Sequence, residues 1–471
     1  MKKFEKFYFE KYEFNIKTFK AKFYYSFDKQ EKFIEEIDFE SEDFVKKKKL
    51  DLKIIESLLF HLFIALWISY YKLYPKVKII LETWYLEKEQ IKFWKKFYLN
   101  WLWEFLYINK LSTKNIFSDI IQKNEVDKNK KNVYFEVWEK FLVPIWWWKD
   151  SIVSIELLKK YSKNFDTFVF WKIDNIKQNC IKKTNTKNLL VKRKLSENLF
   201  RLNKLGYYNW HVPITWIIAF VLEVVAYLYD YKYLVLSNEK SANFWNTFYD
   251  WIEINHQYSK SLEFEKDLDN YVKKYLNPEV KFFSLLRWMY EYKIAELFSK
   301  YWKKYFQEFS SCNNNFKINT KEKNLWQKIW CNNCPKCAFV YSILSWFLSR
   351  QELSTIFKEE LYDKENLIDT FRELSWISWH KPLECVWESR EVILWIYKYY
   401  KNFKKQNLKL PKFLKIFEKE VIWRLCEEMW RNCEENWQLE KYFSNLEKEL
   451  LKISGDTLIP KKIEEEIIKK I

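Results

Sequence analysis

Glycine is nearly missing from this chain: 2 of 471 residues, where average usage of about 7% would supply roughly 33. Glycine alone takes φ > 0 freely and lets a backbone approach a ligand closely, so the letters as written make a folded enzyme of this size hard to build. Tryptophan, ordinarily among the rarest residues, occurs 26 times. Several of these stand where glycine belongs: Trp146-Trp147-Trp148 ahead of Lys149-Asp150-Ser151, Trp210 ahead of His211, and Trp379 ahead of His380. The inversion is explained if many of these positions are UGA codons that the source organism reads as glycine and a standard translation renders as tryptophan. Such positions are glycine-equivalent under this reading. The alternative is a chain truly rich in tryptophan, a binding protein rather than an enzyme.

Other features are missing too. The start, Met1-Lys2-Lys3-Phe4-Glu5-Lys6, lacks the apolar core of a signal peptide. The apolar run Leu58 to Tyr71 carries His61 and falls short of the roughly 20 residues that span a bilayer; the run Val212 to Tyr229 contains Pro213 and Glu223. Both are expected to be buried helices, with no membrane partner. Eight Cys, three of them clustered, without a secretory signal point to a reducing compartment, the cytoplasm, and to metal or catalytic use rather than disulfides.

What is there describes a soluble globular protein of two or three domains, 48% hydrophobic and 31% charged. The net charge of +18 would suit a nucleic-acid partner. The lysines are scattered rather than striped, however, and Lys, Asn, Ile, Phe and Tyr are all abundant, as an AT-rich genome would produce. No nucleic acid is therefore expected, and nothing sets an oligomeric state.

Residues 1 to about 45 alternate aromatic and charged positions and read as strands. Helical periodicity runs from Leu50 to about Leu111, and the polar stretch Lys123 to Asn132 is a candidate linker. An α/β pattern follows: a strand at Phe141–Ile145, a helix from Asp150 to Tyr161, a strand at Phe165–Phe170, a helix from Lys192 to Lys204, an apolar helix near 214–230, and a strand at Tyr233–Leu236. Beyond about Leu262 the chain reads helical almost to its end, with no repeat of fixed period. The expected fold is α/β: a parallel sheet with helices at 131–400, a β-rich and helical N-terminal region at 1–130, and a helical extension at 401–471. Ligands of such sheets bind at the carboxyl ends of the strands.

Four constellations carry chemistry. Pro144-Ile145-Trp146-Trp147-Trp148-Lys149-Asp150-Ser151, with glycine-equivalents P-I-G-G-G-K-D-S, lies between a strand and a helix. There a glycine turn presents backbone N–H groups to an anion at the positive end of the helix dipole. Ser237-Asn238-Glu239-Lys240-Ser241-Ala242-Asn243 and Asn255-His256-Gln257-Tyr258-Ser259-Lys260-Ser261 follow the third strand and suit a ligand needing many hydrogen bonds; a polar surface loop would look the same. Cys331-Asn332-Asn333-Cys334-Pro335-Lys336-Cys337, with Cys312 upstream, has the spacing of a four-thiolate Zn2+ site, or of reduced cysteines at a helix start. Finally, Trp376-Ile377-Ser378-Trp379-His380-Lys381-Pro382-Leu383-Glu384-Cys385-Val386-Trp387-Glu388 gathers groups able to move protons, Cys385 as a thiolate base among them. A solvated connection between helices is the other reading of that stretch.

The first motif resembles the PP-loop of ATP pyrophosphatases, S/G-G-G-x-D-S; its spacing is not that of G-x-x-x-x-G-K-S/T. P-I-W-W-W-K-D-S, W-H-V-P-I-T, L-S-N-E-K-S-A-N, N-H-Q-Y-S-K-S, C-N-N-C-P-K-C-A-F-V and S-W-H-K-P-L-E-C-V-W-E, with Ala65–Lys72 and Trp101–Phe105 upstream, together resemble the ATP-dependent epimerases of UDP-N-acetylmuramoyl-L-alanyl-L-glutamate, enzymes of peptidoglycan precursor synthesis. The departure is Trp where that family has Gly; real indoles at 146–148 would fill the phosphate site. The resemblance implies a PP-loop fold and inversion of the terminal L-Glu, with ATP converted to AMP and pyrophosphate. It implies that Trp146, Trp147, Trp148, Lys149, Asp150 and Ser151 bind ATP with Mg2+, and that Asn238, Glu239, His256 and Lys260 contact nucleotide or substrate. Lys149 and Asp150 count with the catalytic residues, and Cys385 and His380 are the proton-transfer candidates. Cys312, Cys331, Cys334 and Cys337 could hold Zn2+. The rival is a PP-loop enzyme that modifies tRNA or a deazapurine, which would give the positive charge and the cysteines a role.

Overall fold

Alternating aromatic and charged residues drive an antiparallel meander at the start of the chain. Its strands are β1 (Lys6–Asn15), β2 (Lys20–Phe27) and β3 (Glu31–Asp38). Phe7, Phe9, Phe23, Tyr25, Phe33 and Ile37 are buried on one face, as a period of two requires. The computed structural model describes residues 2–44, 49–111, 120–123, 134–146, 148–244, 247–249, 252–255, 257–316, 329–375, 377, 389–425 and 436–471.

The remaining strands are β4 (Lys78–Leu81), β5 (Ile120–Gln122), β6 (Trp138–Pro144), β7 (Phe165–Trp171), β8 (Asn188–Lys194), β9 (Tyr231–Leu236), β10 (Thr247–Tyr249), β11 (Ile252–Ile254) and β12 (Lys281–Ser284). Strands β10 and β11 form a separate hairpin, and the other ten form one mixed sheet ordered β12-β9-β6-β7-β8-β3-β2-β1-β4-β5. Strands β12, β9, β6, β7 and β8 are mutually parallel. The α/β class is as expected, with a sheet that is mostly parallel. The N-terminal strands continue this sheet, because β3 pairs antiparallel with β8 and sets Ile37 opposite Arg193.

From β6 the chain moves outward through β7 and β8, then returns to place β9 on the other side of β6. That reversal opens a crevice at the carboxyl ends of β6 and β9, where open α/β sheets bind ligands.

Three local readings are corrected. The helix expected from Lys192 begins instead at Glu197, because residues 188–194 form β8. Buried Leu189, Val191 and Arg193 alternate there with exposed Lys192 and Lys194, a period-two pattern masked by helix-favouring lysines. Strand β12 interrupts the tract read as helical beyond Leu262, and β4 interrupts the one between Leu50 and Leu111. Both are four residues long, too short to display a period.

The apolar helices Leu52–Leu66 and Ile214–Tyr229 pack on each other. The stretch Leu52–Tyr71 is long and apolar enough to cross a bilayer, yet 83% of its most apolar 18-residue window is buried inside the fold. Its hydrophobicity is used for the core.

Candidate functional site at the sheet crevice

Strand β6 ends at Pro144, and the helix Lys149–Tyr161 begins five residues later at the crevice. The Trp148 N–H donates to the Trp146 carbonyl. The Ser151 hydroxyl donates to the Trp146 carbonyl and to that of Trp148 at 3.0 Å, so it ties the turn to the first helical turn. Trp147 lies outside the described residues.

Lys149 is buried rather than extended to solvent. Its ammonium pairs with Asp150 Oδ1 at 2.6 Å and with the fully buried carboxylate of Glu291. Burial works against the ammonium charge, but Asp150 and then Glu291 outweigh it and hold Lys149 above the usual lysine range. Glu239, buried just past the end of β9, is pushed up to about 7 by burial and then by the Asp150 charge. Glu291 is pushed up to about 8, chiefly by burial, against the pull of Lys149. Carboxyls poised near neutrality beside a buried lysine, in a crevice, make this cluster the candidate site.

Arg287 fixes the two loops of the second constellation. Its Nη1 donates to the Glu239 carbonyl at 2.8 Å, and its Nη2 to the Lys260 carbonyl and to Glu265 Oε2, both at 2.7 Å. Glu265 also accepts from the Ser284 N–H and hydroxyl at the end of β12. Asn238 is buried beside Glu239. Glu239 and Lys260 are thus brought to the turn after β6, where the Lys260 ammonium stands 4.6 Å from the Trp148 ring centroid. His256, His380 and Cys385 lie outside the described residues. The chain is described again from Ser389, and Glu391 accepts from the Ser241 hydroxyl at 2.8 Å and the Tyr292 N–H at 3.0 Å.

The four cysteines meet. The Sγ atoms of Cys312, Cys331, Cys334 and Cys337 all lie within 4.8 Å of one another, with Cys331–Cys337 at 3.7 Å and Cys334–Cys337 at 3.5 Å. A tetrahedron with Zn–S arms of about 2.3 Å has edges of about 3.8 Å, so this quartet fits a zinc-sized soft metal. Asn332 turns the knuckle in the left-handed region at φ 55°, which asparagine tolerates.

Sequence reading missed Arg287, Glu291 and Lys336. Lys336 sits between Cys334 and Cys337 in the first turn of the helix Pro335–Phe347. It is buried, and its ammonium lies 5.3 Å from the same Trp148 ring that Lys260 approaches. The cysteine knuckle and the turn after β6 therefore belong to one site. The C-P-K-C spacing was the only local signal for Lys336; Arg287 and Glu291 gave none.

The geometry can be set beside known proteins. The family model described as the MurL N-terminal domain matches residues 1–285, and that of the MurL C-terminal domain matches residues 308–418. The chain belongs to the MurL family. A relative from Xanthomonas oryzae pv. oryzae, named UDP-N-acetyl-alpha-D-muramoyl-L-alanyl-L-glutamate epimerase, is 32% identical over 326 residues, covering 69% of this chain and 70% of its own length. Proteins of the same name from a Micromonospora species and from Salinispora tropica are 34% and 33% identical. The chain spans about half the length of each: 54% and 52%. Lys149, Glu239 and Lys260 fall in the first MurL match and the cysteines with Lys336 in the second, so the site is built from both.

Proposed function

We infer that this MurL-family epimerase inverts the terminal L-Glu of UDP-N-acetylmuramoyl-L-alanyl-L-glutamate to D-Glu for peptidoglycan precursor synthesis, and that it spends ATP to do so. A carboxylate leaves the adjacent Cα–H very weakly acidic, since its removal would form a dianion. Attack of that carboxylate oxygen on the ATP α-phosphorus forms an acyl-adenylate and releases pyrophosphate. The adenylate no longer carries the carboxylate charge, so a base can take the Cα proton. Return of a proton from the other face and hydrolysis give D-Glu and AMP. Proton transfer is assigned to Cys385 and His380.

The observation that carries the ATP reading is that the Lys260 and Lys336 ammoniums both border the space filled by the Trp148 indole, 4.6 and 5.3 Å from its ring centroid, beside buried Lys149 at the reversal of strand order; glycine at 148 would open that space at the turn. With glycines at 146–148 that turn is a PP-loop, whose backbone N–H groups would receive the pyrophosphate end. Asp150 and Glu239 form an oxygen donor set suited to Mg2+, and Glu239 Oε1 is buried with no hydrogen-bond partner among the described residues. Mg2+ bound there would neutralise phosphate charge. Asn238, Glu239, Lys260 and His256 are read as the nucleotide and substrate contacts.

The glycine-equivalent reading has support of its own. Trp171 ends β7 at φ 93°, a conformation that is an outlier for a bulky residue and ordinary for glycine. The Trp216 and Phe97 ring centroids are 2.9 Å apart, well inside the roughly 4.5–7 Å of aromatic pairs. The indole N–H groups of Trp101, Trp210, Trp216, Trp288, Trp330 and Trp395 are buried without a partner among the described residues, where a satisfied donor is the rule. Trp94 differs: its N–H donates to the Tyr271 hydroxyl at 3.0 Å. The test of the ATP reading is pyrophosphate release by the glycine-bearing chain. Release that requires the dipeptide nucleotide and is lost in Asp150→Asn supports it; release unchanged in that variant overturns the assignment of the loop.

A further inference from the structure

Three segments named for their sequence pattern alone, Ala65–Lys72, Trp101–Phe105 and the W-H-V-P-I-T run from Trp210, have no part in the crevice site. They come together elsewhere, beside two buried cations, Arg193 and Lys72. Arg193, on β8, has a fully buried side chain. Its Nε donates to Glu35 Oε1 at 2.6 Å and its Nη2 to the Ser69 hydroxyl at 2.8 Å. Its Nη1 is buried with no hydrogen-bond partner among the described residues. The guanidinium carbon lies 5.1 Å from the Trp171 ring centroid. Trp171 is also the residue whose left-handed backbone suits glycine.

Lys72 adds a second buried cation. It closes the segment that supplies Ser69, and its ammonium donates to the Trp210 carbonyl. Beside Trp210, His211 Nε2 lies 3.9 Å from Glu104 Oε2, which belongs to the Trp101–Phe105 segment. Burial, and then the Arg193 charge, push Lys72 down to about 7. Among the described residues, two buried cations that repel each other meet one carboxylate hydrogen-bonded to Arg193, that of Glu35, whose Oε2 is also buried without a partner; one carboxylate against two cations leaves the cluster short of negative charge. An unmade guanidinium hydrogen bond in such a place is costly unless a ligand fills it.

The location fits the substrate. Trp171 is the last residue of β7 and Arg193 the last but one of β8. Both stand at the carboxyl edge that carries the turn after β6. Strand β8 lies two places from β6, about 10 Å away at the usual strand spacing. An anion held here would keep one end of a substrate beside the crevice while the other reacts.

We propose that Arg193 and Lys72 form an oxyanion subsite for the substrate, opened where the Trp171 position carries glycine and the guanidinium face is uncovered. This rests on the epimerase reading and on Trp171 being glycine-equivalent. The oxyanion is an oxygen anion of the bound nucleotide-peptide, and two of its groups have that chemistry: the side-chain carboxylate of the terminal glutamate and the diphosphate.

The test is calorimetric binding to the full glycine-bearing chain, its Lys72→Met variant and its Arg193→Lys variant, each checked for folding by its melting transition. Arg193→Lys keeps a charge for Glu35 while losing the fork, so it guards against a variant that merely unfolds. Three ligands are compared: the complete UDP-muramoyl dipeptide, the same molecule ending in L-Gln, and the muramoyl dipeptide without its nucleotide. The complete ligand should bind each variant about 10- to 100-fold more weakly, the value of a charge-assisted hydrogen bond, with ATP binding unchanged. If the glutamate carboxylate is the anion, the L-Gln ligand should show no such loss; if the diphosphate is, the nucleotide-free ligand should show none. Equal binding by the unsubstituted chain and the variants, or the same loss with all three ligands, overturns the subsite and leaves the epimerase reading standing. Failure of the unsubstituted chain to bind the complete ligand overturns that reading and the subsite with it.

Discussion

Lys149 and Glu291 form an ion pair in which both side chains are almost wholly withdrawn from water. The lysine starts the helix after β6 and the glutamate starts the helix Glu291–Tyr301, so the pair joins the two helices that flank the crevice. Replacing Glu291 with Gln leaves Lys149 to Asp150 alone and removes a carboxyl whose ionisation is coupled to the site. Above pH 8, where Glu291 is ionised, we expect a destabilisation of about 3–5 kcal/mol, as when one partner of a buried pair is lost, measured by denaturant unfolding. A loss under about 1 kcal/mol would mean the pair is solvated.

Arg287 is expected to act on position rather than chemistry. It holds the Glu239 and Lys260 carbonyls together and neutralises Glu265. Arg287→Met should lower kcat/KM by at least tenfold and cost about 3–5 kcal/mol of stability, since Glu265 is left buried and unpaired. Adding Glu265→Gln to Arg287→Met should recover much of the stability but not the activity. Recovery of both together would make Arg287 purely structural.

The cysteine quartet should bind about one zinc per chain. Metal analysis of the purified protein measures the content, and Cys331→Ser should lose it. Chelation should lower the melting temperature and also weaken ATP binding, because Lys336 sits inside the knuckle. A metal-free protein with an unchanged melting temperature would reduce the quartet to buried thiols.

Glu223 provides a pH signature away from the site. It is buried in the apolar helix Ile214–Tyr229, neither carboxyl oxygen has a hydrogen-bond partner among the described residues, and burial followed by the Asp269 charge raises its pKa to about 8. The folded state thus holds this proton more tightly than the unfolded chain does. Its contribution is intact below the unfolded pKa near 4.5 and is lost as pH rises to about 8, at up to about 1.4 kcal/mol per pH unit. Glu223→Leu should flatten that slope in unfolding free energies measured from pH 5 to pH 8. An unchanged slope would show that Glu223 is ionised throughout.

How much of this was legible in the sequence depended on distance along the chain. Lys149, Asp150 and Ser151 stand out because they are adjacent to a strand end, and the cysteines because ligand spacing is local. Glu239 and Lys260 were visible as polar loops after a strand. Arg287, Glu291 and Lys336 were not, since each reaches the site only when β12 and two later helices pack beside β6 and β9. Arg193 was hidden by a wrong period: read as helix, its neighbours promised nothing, whereas as β8 it faces the core beside Glu35.

The codons should sort by environment. Trp148, Trp171 and Trp216 are expected to be UGA, and Trp94, with its satisfied indole, UGG. UGG at Trp171 would mean that the strained backbone there belongs to a real tryptophan.

ATP-dependent epimerisation is tested by synthesising the chain with glycine at the UGA positions and incubating it with ATP, Mg2+ and UDP-N-acetylmuramoyl-L-alanyl-L-glutamate. Chiral analysis of the released glutamate and detection of pyrophosphate are the readouts. D-Glu is expected only when ATP is present, with pyrophosphate alongside. A folded protein that yields neither would contradict ATP-dependent epimerisation.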